Sequence, residues 1–151
     1  MDAYAAALRR DLIRRAPDAK DYTVDTVYFG GGTPSYLGAD RLCCILETVF
    51  AHYHVDKTAE ITTEANPDSA RDAAALRQLR SAGFNRISLG MQSACDDELR
   101  LIGRVHTHRE TVEAVSAART AGFDNLSLDL IYGLPEQTAA RWQANLRAAI
   151  A

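Results

Sequence analysis

The amino-acid sequence predicts an α/β fold in which βα units repeat and their strands form a parallel sheet. Three observations carry this reading. Short β-branched and aromatic runs alternate with longer stretches whose apolar residues recur at helical spacing. Two stretches, Ala82-Gly83-Phe84-Asn85-Arg86-Ile87-Ser88-Leu89 and Ala121-Gly122-Phe123-Asp124-Asn125-Leu126-Ser127-Leu128, are near copies offset by 39 residues. Each strand-like run also opens into a polar or glycine-rich loop. An offset of 39 residues spans a strand, a loop and a helix with room for a short extra helix, which suits a βα series better than a solenoid. With 151 residues the chain has about four units, whereas a closed eight-unit barrel takes ~250 residues. Residues 1–151 are therefore expected to form one partial barrel domain with about four strands.

The first element is a helix from Met1 to Arg15, with Tyr4, Leu8 and Leu12 on one face against Arg9, Arg10, Arg14 and Arg15; Pro17 marks its end. Val24 to Phe29 reads as a strand that runs into Gly30-Gly31-Gly32-Thr33-Pro34. Asp40 to Tyr53 places Leu42, Ile45, Leu46, Val49, Phe50 and Tyr53 on one helical stripe. Glu60 to Glu64 is the second strand, Ala65-Asn66-Pro67 its loop, and Ser69 to Ala82 a helix stopped by Gly83. Arg86 to Met91 is the third strand and Asp96 to Ile102 a short helix closed by Gly103. Thr107 with Glu110 makes a capping box that opens the next helix, which Gly122 stops. Asn125 to Ile131 is the fourth strand, and Trp142, Leu146 and Ile150 are expected to line the inner face of a last helix.

Composition excludes several functions. The balance of 17 Lys+Arg against 20 Asp+Glu gives a net charge of −3, which argues against charge-driven nucleic-acid binding. Apolar residues at 47% and charged residues at 25% are those of a globular chain. No run approaches the ~18 apolar residues of a membrane span. The start, Met1-Asp2-Ala3-Tyr4, has neither a basic head nor an apolar signal segment, so a cytoplasmic location is expected. Cys43, Cys44 and Cys95 fit neither an even disulfide framework nor a metal-ligand spacing, and read as free thiols.

In parallel βα architectures ligands sit beyond the carboxyl ends of the strands. Here those ends supply Thr33, Glu64, Gln92 and Asp129 to one mouth. Three glycines after the first strand let backbone approach a ligand, or make a tight turn; they match neither G-x-G-x-x-G nor a P-loop. Glu64 and Asp129 are suited to accept hydrogen bonds from an ammonium or a ribose diol, and equally fit solvated strand ends or partners of an arginine. Gln92 also fits an ordinary capping amide. Arg104, just past a short helix, is able to hold a carboxylate in a two-pronged pair or to be a plain surface charge. The pairs His52/His54 and His106/His108 are poor metal candidates, the first because positions i and i+2 of a helix face different ways.

Taken in order and spacing, Tyr28-Phe29-Gly30-Gly31-Gly32-Thr33-Pro34-Ser35, Glu60-Ile61-Thr62-Thr63-Glu64-Ala65-Asn66-Pro67, Asn85-Arg86-Ile87-Ser88-Leu89-Gly90-Met91-Gln92-Ser93 and Asp129-Leu130-Ile131-Tyr132-Gly133-Leu134-Pro135 resemble the radical S-adenosylmethionine (SAM) proteins of the oxygen-independent coproporphyrinogen III oxidase type. A fifth motif, Ile102-Gly103-Arg104-Val105-His106, together with Glu64-Ala65-Asn66-Pro67, looks more like the heme chaperone (HemW-like) branch than the oxidase. The resemblance covers essentially the whole chain. It implies a partial TIM-like (β/α)6 barrel whose mouth binds SAM. Gly31, Gly32 and Thr33 match the loop that meets the methionyl amino group, and Arg104 matches a carboxylate partner. Glu64, Gln92 and Asp129 match polar contacts to the amino-acid and ribose ends. Heme or a porphyrin is the partner implied for the full-length family.

The resemblance also implies a [4Fe-4S] cluster, held by a C-x3-C-x2-C loop after the family's first strand. That motif is absent from this chain. The expectation is an internal portion of a barrel, without the first strand and its cluster loop, the last barrel strand and the C-terminal domain, and unable to generate a radical alone. Its outer strands, around Val27-Tyr28-Phe29 and Leu128-Asp129-Leu130-Ile131, lack Lys or Pro edge guards. They are expected to pair with a neighbour or to self-associate. The alternatives to a heme chaperone are the oxidase, which oxidatively decarboxylates propionate side chains, and a cluster-free scaffold.

Overall fold

The computed structural model describes residues 1–150, so only the last residue of the expected domain lies outside it. The chain runs α1 (Asp2–Arg15), β1 (Val24–Phe29), α2 (Ala39–His52), β2 (Val55–Ala65), α3 (Ala73–Ala82), β3 (Arg86–Gln92), α4 (Asp96–Leu101), α5 (His108–Thr120), β4 (Asn125–Leu130) and α6 (Ala139–Ile150). The sheet is parallel in the order β1-β2-β3-β4. This is the predicted βα series.

The period of two residues along each strand separates the sheet into two chemically different faces. Val27, Phe29, Ile61, Ala65, Ile87, Leu89, Leu126 and Leu128 join one core with Leu42, Leu46 and Val49 of α2, Leu76 and Leu79 of α3, and Ala114 and Ala118 of α5. The other face carries Tyr28, Glu60, Thr62, Glu64, Arg86, Ser88, Asn125, Ser127 and Asp129. These polar groups bond one another across the strands. Arg86 donates to Ser127 Oγ at 2.9 Å, Ser127 Oγ to Ser88 Oγ at 2.9 Å, and Ser88 Oγ to Asp129 at 3.0 and 3.1 Å.

Three helices end in the same way. In α3, α4 and α5 a glycine in the left-handed region (Gly83 φ 118°, Gly103 φ 69°, Gly122 φ 94°) follows the last turn. The next amide then reaches back five residues: Phe84 N to Leu79 O, Arg104 N to Leu99 O and Phe123 N to Ala118 O, at 2.9–3.1 Å. This is the Schellman arrangement. The sequence repeat extends into it, because Arg80 and Arg119, again 39 apart, donate to matching carbonyls of the following turn, Arg80 to Phe84 O and Arg119 to Phe123 O, while Arg80 also reaches across to Gly122 O at the end of α5.

Several boundaries and faces differ from expectation. β2 begins at Val55, five residues before Glu60, and the extension pairs Val24 with Val55 across an irregularity in the register. α3 begins at Ala73, capped by Asp72 accepting from Ala74 N. Residues 67–72 are occupied instead by turns in which Ser69 N bonds Asn66 O. On α6, Leu146 and Ile150 are 38% and 84% exposed and the buried residue is Asn145, for the polar reason given below. Tyr4 and Phe50 are also exposed. Arg9, grouped with the outward-facing charges, donates instead to Thr48 Oγ1 at 2.7 Å and ties α1 to α2.

The two copies of the repeat diverge at one position with a consequence for stability. The Asn85 side chain accepts from Ile61 N and donates to Ala59 O, both at 2.8 Å, so it extends the pairing of β2 below the start of β3. Asp124 stands at the matching position and is exposed. Asn85→Ala is expected to cost about 1–3 kcal/mol, since it strands two backbone groups. Asp124→Ala should change little. Urea unfolding of both variants checks this, and equal costs would refute it.

Candidate functional site

The carboxyl ends of the strands enclose a cavity of about 150 Å³ lined by Gly32, Thr33, Glu64, Gln92, Arg104 and Asp129, with Ala65, Asn66 and Gly90 between them. Six of the seven residues singled out from the sequence thus face one space. Gly31 lies outside the lining and takes part indirectly, its N–H donating to Glu64 Oε2 at 3.1 Å.

Each side chain is aimed by a local backbone device. Gly31 and Gly32 have φ 86° and 65°, which turns the loop after β1 across the mouth. Glu64 leaves β2 on the polar face and is fixed by Gly31 N and by the Tyr28 hydroxyl at 2.6 Å. The hydrogen bond to Glu64 raises the Tyr28 phenol above its ordinary pKa, with burial and the nearby carboxylates adding to the effect. Gln92 has φ 63°, a conformation non-glycine residues adopt at a cost. It ends β3 where the register with β4 shifts, between Leu89 and Gln92. Asp129 is held by Ser88. Arg104 is delivered by the Schellman turn at the end of α4, and no salt bridge among the described residues involves it.

Sequence reasoning passed over three residues here. Asn66 lines the cavity and its amide donates to Thr33 Oγ1 at 3.3 Å. Gly90 is the point where two amides converge: a Cβ there would lie 2.7 Å from Gln92 Nε2 and 3.1 Å from Asn66 Oδ1. Tyr28 orients Glu64. The available signal was strand alternation, which puts positions 28, 64, 90 and 129 on the same face.

Other candidates lie apart from this cavity. A groove of about 320 Å³ runs along β1, between Tyr4, Leu8 and Leu12 of α1 and Val27, Phe29 and Ile45. It is larger but apolar. His52 and His54 are exposed, while His106 is buried with Nε2 3.3 Å from Met91 O. Cys43 is buried, Cys44 exposed and Cys95 half-buried. Among the described residues no three His, Cys, Asp or Glu side chains are grouped to hold a metal ion. No described helix is long and apolar enough to cross a membrane.

Comparison with known proteins gives a consistent picture. The sequence profile of the radical SAM superfamily matches residues 6–149. The heme chaperone HemW of Mycobacterium tuberculosis is 42% identical over 137 residues, covering 91% of this chain and 35% of the relative. HemW of Escherichia coli is 37% identical over 149 residues, covering 99% of this chain and 39% of the relative. The structure of E. coli coproporphyrinogen III oxidase (HemN), a radical SAM enzyme, superposes with a TM-score of 0.86 at 32% identity, over 97% of this chain and 33% of that one. The chain spans about a third of the length of the relatives it matches.

The strained backbone and the crowded glycine make different predictions. Gln92→Gly should raise the urea midpoint, because the left-handed region costs a non-glycine residue roughly 1–2 kcal/mol. Gly90→Ala should change stability little, since the new methyl meets only the movable ends of the Gln92 and Asn66 side chains at the cavity and displaces them rather than the strand. A destabilising Gln92→Gly or a large loss of stability in Gly90→Ala would contradict this geometry.

Proposed function

Because the chain belongs to the radical SAM superfamily, we propose that this cavity binds S-adenosylmethionine and that the chain is part of a heme chaperone. The supporting observation is the convergence of Thr33, Glu64, Gln92, Arg104 and Asp129 on one space. SAM carries an ammonium, a carboxylate, a ribose diol and a sulfonium. Carbonyls of the glycine loop suit the ammonium, Arg104 suits the carboxylate through a two-pronged pair, and Glu64, Gln92 and Asp129 suit the amino-acid and ribose ends. Charge agrees as well: two carboxylates against one guanidinium leave the cavity net negative, and SAM at neutral pH is net positive.

In this family a [4Fe-4S] cluster supplies the electron that cleaves SAM to a 5′-deoxyadenosyl radical. The cysteines of this chain do not fit as its ligands, since Cys43 is buried, Cys44 is exposed on the same helix and Cys95 sits beyond β3.

The chaperone reading rests on identities of 34–43% to HemW proteins, beside 32% in the structural superposition on the oxidase. The oxidase is the alternative. Binding titrations of the protein with hemin and with coproporphyrinogen separate the two: preferential heme capture supports the chaperone, and preference for the porphyrinogen supports the oxidase. A second reading, pairing of the open sheet with another polypeptide or a second copy, draws on the unpaired outer edge of β1 beside its apolar groove. Concentration-dependent sedimentation supports self-association, and a monomer at all concentrations removes that part of it.

For the site itself, isothermal calorimetry with SAM should show Arg104→Ala weakening binding about ten- to a hundredfold, the equivalent of losing one charged hydrogen bond. Asp129→Asn should weaken it in the same direction, by removing charge while keeping shape. Arg10→Ala, on the exposed face of α1, is the neutral control; Arg9 does not serve, since it bonds Thr48. Equal affinities across all four proteins would sink the assignment.

A further inference from the structure

Away from the cavity lining, one buried carboxylate has no part in the reading so far. Glu98 of α4 is 2% exposed and forms no salt bridge among the described residues. Its Oε2 instead accepts three neutral donors: Ser93 Oγ at 2.6 Å, Asn145 Nδ2 at 3.0 Å and Gln137 Nε2 at 3.0 Å. Its Oε1 is buried without a partner. Burial pushes the carboxyl up, but the three donors together outweigh it and hold the pKa below the usual range. The group is therefore an anion at neutral pH, kept chiefly by these dipoles with the nearby Arg141 charge adding.

The three donors come from three segments: the turn after β3, the loop after β4, and α6. Each passes the constraint on. Asn145, itself 1% exposed, accepts from Ala94 N at 2.9 Å. Gln137 accepts from Gly133 N at 2.8 Å, in the loop that leaves β4 just beyond Asp129. On α4, the residue after Glu98 is Leu99, whose carbonyl receives the Arg104 amide at 2.9 Å. Arg104 and Asp129 thus stand on segments that meet at Glu98.

We propose that Glu98 is a positioning residue for the cavity, tying the segment that presents Arg104 to the loop that follows Asp129 and so fixing the distance between those two side chains. The consequence for affinity rests on the SAM reading; the tie itself does not. An apolar residue would fill the same space but deprive the buried Ser93 and Asn145 and the half-buried Gln137 of their shared acceptor. Glu98→Gln is different: the new side-chain carbonyl can take the Oε2 position and accept all three, with its NH2 group where Oε1 already lacks a partner.

The test uses Glu98→Leu, Glu98→Gln and Gln137→Met, with hydrogen exchange of backbone amides by NMR and calorimetry with SAM. Glu98→Leu and Gln137→Met should speed exchange of the Gly133 amide and shift the Arg104 resonances, leaving the Phe84 and Phe123 amides as in the parent; Glu98→Gln should keep most of the protection. SAM affinity should fall about tenfold in Glu98→Leu. In an Arg104→Ala background the same change should cost nothing more, which a merely structural role would not produce. Unchanged Gly133 and Arg104 signals, or losses that simply add, would overturn the proposal. Gln137→Met, partly exposed in its loop, decides the matter if Glu98→Leu does not fold. If no protein binds SAM, the ligand reading fails while the exchange data still judge the tie.

Discussion

The arrangement depends on a sheet whose two faces are solvents of opposite kind. Parallel sheets are usually buried on both faces and read as continuous apolar runs. Here the strands alternate, so Ile87 and Leu89 enter the helical core while Arg86 and Ser88 point the other way. Burial of the first set fixes register, because a slip of one residue would drive the polar set into the helices. Register then fixes which residue ends each strand, and all four ends fall at one mouth because every strand runs the same way. The site is a by-product of that constraint. Its carboxylates are tolerated because they occupy the face that no helix among the described residues covers.

One turn, used three times, shows how a small sequence change converts packing into chemistry. After Gly83 and Gly122 the residue is phenylalanine, and Phe84 and Phe123 are fully buried in the core. After Gly103 the same backbone geometry carries Arg104. A turn that elsewhere returns an aromatic ring to its own helix here sends a guanidinium into the mouth. Glycine is favoured in all three because φ is positive, but only the following residue decides whether the turn feeds the core or the cavity.

The strands, the capping box and the glycine stops were legible because each rests on local chemistry: side-chain alternation, a Thr107–Glu110 pair, a residue able to adopt positive φ. The placing of Thr33, Glu64, Gln92 and Asp129 around one space was legible for a related reason, since strand ends of a parallel sheet must converge; Gly32 and Arg104 came from the family resemblance. What the sequence did not disclose depends on partners distant along the chain. Glu98 reads as one of three acids at a helix start, until Gln137 and Asn145 reach it from 39 and 47 residues away. The inner face of α6 was misread because Trp142, Leu146 and Ile150 have helical spacing, whereas the position actually buried is an asparagine held by polar bonds. Asn66 and Gly90 were missed because their role is steric, set by where a neighbouring amide ends.

The mouth raises a last physical question: why Arg104 does not collapse onto Glu64 or Asp129. An unscreened pair of opposite charges in a shared cavity attracts strongly at low effective dielectric. In this site both acids are held by neutral donors, Glu64 by the Tyr28 hydroxyl and the Gly31 amide, Asp129 by Ser88. Such donors fix a carboxylate in direction without cancelling its charge. Arg104 is restrained from the other side by its turn, where its amide bonds Leu99 O. The charges are thus kept apart by bonds that carry no net charge, and the space between them retains its field. A ligand bearing both signs can satisfy acid and base together without first breaking an ion pair, so the cost of opening the site has been met during folding rather than at binding.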